Sequence, residues 1–200
     1  MPVQDRREQL QDAALQVLLR EGYARLNVDA IAREAGVTRP VVYSAYGGLA
    51  PLLDALLDRT QQRALTTMVT LMGKAPDDDL DGWLVHLVSG LLEAARTEPE
   101  VWRPVLDLVH GTPENVRERI EETRELIRST LEQRLADGLR DRGTPDVEPE
   151  VLSQVLLVAG EQFARLVITD PDRYPPERLV ANLRGVLASI HASGAVSTSA

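Results

Sequence analysis

The chain has no cysteine, so disulfides and thiolate metal sites are excluded. Lysine is nearly missing too: Lys74 is the single one, and arginine carries almost all the basic charge. Aromatic residues make up only 4%. No run of about 18 apolar residues stands out, which predicts no transmembrane helix. The first residues, Met-Pro-Val-Gln-Asp-Arg-Arg-Glu, open no apolar stretch of secretory type. A cytoplasmic protein with no membrane partner is the simplest expectation. No nucleophile–base pair, glycine-rich phosphate loop or paired carboxylate motif appears, which argues against an enzyme. His86, His110 and His191 lack metal-site spacing with carboxylates. The run Asp77-Asp78-Asp79-Asp81 lacks the ordered ligands and glycine of a calcium loop, and a helix start explains it better. No metal or cofactor is expected.

What is present points to an all-α fold. The 200 residues are 44% hydrophobic, enough for one or two cored domains. Residues 6–21 are amphipathic, with Leu10, Ala13, Ala14, Val17 and Leu18 on one face. Further helices are predicted over 28–35, 38–45, 49–72, 80–96, 100–110, 114–142, 149–169 and 177–191. The segment 149–169 is so apolar that it is expected to be buried. Ser193 onward reads as a disordered tail.

Charge is uneven along this chain. The net charge is −9, yet residues 1–46 balance six arginines (Arg6, Arg7, Arg20, Arg25, Arg33, Arg39) against six acidic residues. A neutral head on an acidic body fits nucleic-acid reading by the head, although it is weaker than the usual basic patch.

Residues 27–46 are the most informative stretch. Val28, Ile31, Ala32 and Ala35 recur at helical spacing. Asn27 is placed to cap the first helix. Gly36 supplies the left-handed exit, and Val37 tucks beneath it. Thr38 is expected to cap the second helix, with Pro40 in its first turn. Two short helices about a glycine turn are the shape that seats a reading helix in the major groove.

The segment Ala30-Ile31-Ala32-Arg33-Glu34-Ala35-Gly36-Val37-Thr38-Arg39, followed by Val42-Tyr43 and Tyr46, resembles the signature of TetR-type transcriptional regulators. The resemblance is specific over residues 8–57. It implies a DNA-binding domain over 1–48, a helical effector-binding and dimerisation domain over 49–192, and a tail over 193–200. The implied protein is a homodimer on a double-stranded DNA operator, a repressor released by a small, mostly apolar effector. A regulator with a protein partner or no effector, or an activator, is the alternative. The implied DNA contacts are Asn27, Val28, Thr38, Arg39, Pro40, Tyr43 and Ser44. Arg39 is the candidate for a guanine edge, and Tyr43 matches the phosphate-contacting tyrosine. Val28 and Asn27 open a helix whose amides favour phosphate. Tyr46 is expected to pack between the first and fourth helices. Arg6 and Arg7 read as a frayed helix start or as a basic arm over the minor groove. Two positions depart from the pattern: Ala45 stands where a bulky polar or basic residue is common. Gly47-Gly48-Leu49-Ala50 stands where a phosphate-clamping lysine is common. Modest non-specific affinity is expected.

In the body, Leu152, Val155, Leu156 and Ala159, with Leu179, Leu183, Val186 and Leu187, form helical stripes expected to face a second copy. Gly160 is expected to permit close helix approach. Trp83, His86, Trp102, Leu106, His110, Gln162 and Phe163 are the candidate effector contacts, with Arg103 and Thr169 as further polar anchors.

Overall fold

The computed structural model describes residues 2–74, 79–106, 114–142 and 147–196. Among them there are nine α-helices and no strand. They are α1 (Val3–Glu21), α2 (Val28–Glu34), α3 (Arg39–Tyr46), α4 (Leu49–Lys74), α5 (Leu80–Thr97), α6 (Pro99–Leu106), α7 (Glu114–Arg142), α8 (Pro149–Thr169) and α9 (Pro176–Val196). A single 3₁₀ turn, Tyr23–Arg25, links α1 to α2. α1 begins at Val3, three residues before the expected start at residue 6. α9 runs to Val196, past the expected boundary at 192; residues 197–200 of the expected tail lie outside the described residues.

The chain divides into two compact units. One holds the residues up to Leu65 with Glu100–Glu122, the other Thr66–Pro99 with the residues from Thr123 onward. In the first, α1, α2, α3 and the start of α4 close one core. Leu10, Ala14 and Val17 of α1 meet Ile31 of α2, Val42 of α3 and Leu52 and Leu56 of α4, each nearly solvent-free. Beside it Leu57 packs with Ile120 of α7, and Arg119 pairs with Asp58.

Tyr23 adds a local cost to this unit. Its hydroxyl is buried with no hydrogen-bond partner among the described residues. Burial pushes its pKa up from 10.0 to about 12. The unfolded chain therefore ionises first, and stability present below about pH 10 is lost as pH rises toward about 12. Tyr23→Phe removes the stranded hydroxyl. It is expected to leave stability unchanged or raise it by about 1 kcal/mol and to abolish that alkaline loss. Urea unfolding of both proteins from neutral to alkaline pH reads both effects.

In the second unit, α5 packs on α8 and α9. Of two glycines that face α5, one is tightly packed. A Cβ at Gly138 of α7 would stand 3.1 Å from Leu80, and one at Gly160 of α8 would stand 3.5 Å from Leu91. At Gly160 that is ordinary van der Waals contact, so the expected close approach does not need the glycine there. Arg124 of α7 grips Glu161 of α8 through two bonds of 2.7 and 3.0 Å. Arg128 reaches Ser153, whose own hydroxyl donates to the Glu150 carbonyl.

α8 departs from its expected burial. Ser153, Gly160, Ala164 and Val167 are buried, but Val151, Val155 and Val158 are more than half exposed. Valine and leucine occur on several sides of the helix, so composition could not show which side meets α5. By length and composition α8 could cross a membrane, the one single helix among the described residues that could. Its middle nevertheless carries the ion-paired Glu161.

Candidate nucleic-acid interface

The local chemistry of residues 27–47 fixes the pair α2 and α3. Asn27 is extended, and its side-chain oxygen accepts from the Ala30 N–H at 2.9 Å. Its amide donates to the Arg25 carbonyl. Gly36 takes φ +64° and Gly47 φ +78°. Both lie in the left-handed region that costs an L-residue roughly 1–2 kcal/mol. Val37 N–H donates to Ala32 O at 2.9 Å, closing the turn.

Thr38 stands at the start of α3 in extended conformation, but its side chain makes no cap bond. The reason is Pro40, the second residue of α3. It has no N–H for the hydroxyl to accept, and the next donor, Val41 N–H, goes to the Thr38 carbonyl at 3.0 Å. The expected side-chain cap is thus replaced by a backbone bond.

α1 braces this pair from behind. The last carbonyls of a helix lack intrahelical partners, and side chains of α1 satisfy one at the end of α2 and one at the end of α3. Gln9 donates to Ala35 O at 2.9 Å and Arg7 to Ala45 O at 3.1 Å. Tyr46 accepts from Gln11 at 2.8 Å and donates to Arg7 O at 3.1 Å. Burial is the main cause that holds its hydroxyl above the usual range, so it stays a donor. The Arg7 guanidinium also lies over the Tyr46 ring, 5.4 Å from its centre. Tyr46 packs against the core of α1 and α4, as expected. Arg59 of α4 adds an ion pair to Asp12 at 2.7 Å.

These bonds bear on Arg6 and Arg7, expected as a frayed helix start or as a basic arm over the minor groove. Both lie within α1, Arg7 is committed to Ala45 and Tyr46, and Arg6 bonds Gln9 at 2.7 Å. Arg6 also borders a shallow groove of about 350 Å3 with Pro40, Val41 and Ser44 of α3. It sits beside the outer helix, a placement that no local spacing could reveal.

The outer face of the motif gathers most of the expected contacts. Thr38, Arg39, Pro40, Tyr43 and Ser44 are all exposed, Tyr43 by 47%, while Val42 is wholly buried beneath them. Val28 is 8% exposed, so its side chain serves the core and only its backbone faces outward. Asn27 is spent on capping α2. Arg39 is not bare: its Nε lies 3.0 Å from Asp29 Oδ1 of α2. Sequence spacing gives no sign of that pair, because ten residues and a turn separate its members.

The expected effector contacts divide between the two units. Trp102 and Leu106 are buried in the first; Trp83, His86, Gln162 and Phe163 belong to the second. His110 lies outside the described residues. Trp83 is 4% exposed, with Arg134 over its ring. His86 lines an open groove of about 490 Å3 between α5 and α9, with Val85, Ser89, Arg184 and Leu187. Its Nε2 is shielded from solvent with no partner among the described residues. Gln162 is exposed, Phe163 is half-buried, and the Thr169 hydroxyl donates to the Arg165 carbonyl. Among the described residues no group of three or more His, Cys, Asp or Glu could hold a metal ion.

Of the stripes expected to face a second copy, Val155 and Val186 are exposed by 57% and 56%. Leu152, Leu156, Ala159, Leu183 and Leu187 are half-buried. Leu179 is buried in its own unit, so it is a core residue in this chain. Val151 and Val158 extend the exposed row of α8 and were not in the expected stripe.

Residues 10–56, the braced motif and its core, match the family of bacterial regulatory proteins described as the tetR family. An HTH-type transcriptional regulator of Mycobacterium tuberculosis (strain ATCC 25618 / H37Rv) is 28% identical over 164 residues, covering 80% of this chain and 66% of the relative. The chain thus spans slightly less than two thirds of that relative's length. A TetR-like transcriptional regulator of Rhodococcus sp. RHA1 shares the fold with a TM-score of 0.70 at 22% identity, over 94% of this chain and 98% of that one. The transcriptional regulator FadR of Bacillus subtilis, solved with stearoyl-CoA, gives 0.70 at 16% identity, over 90% and 96%. Residues 10–56 thus match the helix-turn-helix segment of the tetR family, and the chain as a whole shares its fold with TetR-like transcriptional regulators.

Proposed function

We propose that the protein is a cytoplasmic, homodimeric transcriptional repressor that reads operator DNA with the outer face of α3. It is not an enzyme. The observation that carries the reading is the exposed set Thr38, Arg39, Pro40, Tyr43 and Ser44 on a helix held rigidly from behind by Gln9, Gln11 and Arg7. Rigid presentation matters because base contacts must be made within hydrogen-bond tolerance. Arg39 contacts a guanine edge, Tyr43 and the Thr38 hydroxyl contact phosphate, and the α2 amides support a second phosphate.

The exposed valines of α8 and Val186 of α9 form the dimer face. A contiguous apolar patch on a protein surface favours association, and branched valines lose little side-chain entropy when covered. Two heads then meet two half-sites about one helical turn apart.

A small, mostly apolar effector with a polar end enters the groove between α5 and α9. Val85 and Leu187 supply apolar wall, and His86 Nε2 and Arg184 supply polar anchors. It releases the operator by binding one conformation more tightly than the other, and can shift the balance only by that difference.

Selection of bound sequences from random double-stranded DNA tests the reading. A near-palindromic site is expected. Arg39→Ala is expected to relax one base pair in each half-site by about 1–3 kcal/mol of discrimination. Tyr43→Ala is expected to weaken all sequences together, because a phosphate contact carries no base information. Recovery of no enriched sequence would defeat the proposal.

A further inference from the structure

We infer that Asp29 is a positioning residue for Arg39, and that it raises base selectivity at the expense of overall DNA affinity; this rests on the reading of α3 given above. Asp29 is the second residue of α2 and Arg39 the first of α3. The carboxylate lies against the Nε side of the guanidinium at 3.0 Å. Nε is the atom nearest the carboxylate, and the guanidinium carries two terminal nitrogens besides, the groups with which an arginine grips guanine O6 and N7.

Stability does not account for this pair. Arg39 and Asp29 side chains are 59% and 53% exposed, and exposed ion pairs contribute little to folding because water screens them. In the groove the balance changes. DNA excludes water from the pair and strengthens it. A long arginine held in one rotamer also loses less freedom on meeting a base. The arrangement tells against the wrong sequence as well. Where no guanine accepts the fork, Asp29 still cancels the charge of Arg39, so the pair adds little attraction to the phosphates. Residues 1–46 carry no net positive charge to make this up, so one carboxylate at the reading face weighs more than on a basic head.

The test is a double-mutant cycle with Asp29→Asn, Arg39→Ala and the pair, measured by competition binding on the selected operator, on operators changed at each base pair, and on random duplex. Asp29→Asn is expected to relax preference about threefold to tenfold at the base pair relaxed by Arg39→Ala and at no other. It is expected to bind random duplex about twofold to fivefold more tightly, with the gain shrinking as salt rises. In the Arg39→Ala background Asp29→Asn should change no base preference. A purely structural role would lower thermal stability and weaken every sequence alike. Asp29→Asn that keeps the wild-type preference, or that relaxes it equally without Arg39, overturns this inference while leaving α3 as the reader. Arg39→Ala that keeps the wild-type preference overturns both readings.

Discussion

Paired glutamates at Val155 and Val158 are expected to split the protein into single chains and to cost the operator about 10²–10⁴-fold in affinity. Both valines are more than half exposed on one row of α8, so the change adds charge without emptying a core. Burying two carboxylates at a matched apolar surface would cost several kcal/mol per copy, more than such an interface can give up. The affinity loss follows from the linkage of two heads: the second half-site is bound at high effective concentration only while the heads are joined. Light scattering on the eluting protein reads the first effect and operator titration the second. A double variant that remains a dimer would move the interface elsewhere. One that dissociates but keeps full operator affinity would show that a single head suffices.

Ile31→Ala is expected to remove operator binding without touching any residue of the reading face. Ile31 is fully buried at the centre of the α1–α4 core. Its truncation takes away three carbons and leaves a cavity, a loss of about 2–5 kcal/mol. Whole domains are stable by only about 5–15 kcal/mol, and α2 has seven residues, too few to persist without tertiary support. Denaturant unfolding followed by circular dichroism should show the loss. Operator affinity should recover at low temperature or with a volume-conserving Ile31→Leu. Unfolding at wild-type denaturant concentrations would contradict the role of this core.

The sequence carried much of this organisation. Asn27, Gly36 and Pro40 specify a cap, a turn and a helix start by local backbone chemistry, and the structure uses each as expected. Thr38 was legible as a boundary but not as a missing side-chain cap, because that depended on Pro40 removing the nearest donor. α8 was legible as a helix and not as a two-faced one: valine and leucine occur on several sides, and only packing against α5 decides which valines stay exposed. The contacts Gln9–Ala35, Arg7–Ala45 and Asp29–Arg39 join residues on different elements. No period along the chain encodes them. The groove at His86 depends on α5 and α9, which are far apart in sequence.

The most direct measurement is a footprint of the wild-type protein on the enriched operator across a salt series, beside Arg39→Ala and Tyr43→Ala. The account predicts two protected half-sites about one turn apart, weakened in both variants. It also predicts a shallow loss with salt, because the head has few basic groups to displace counterions. Protection that both variants retain, or binding that tracks only total charge and salt, would contradict α3 as the reading helix.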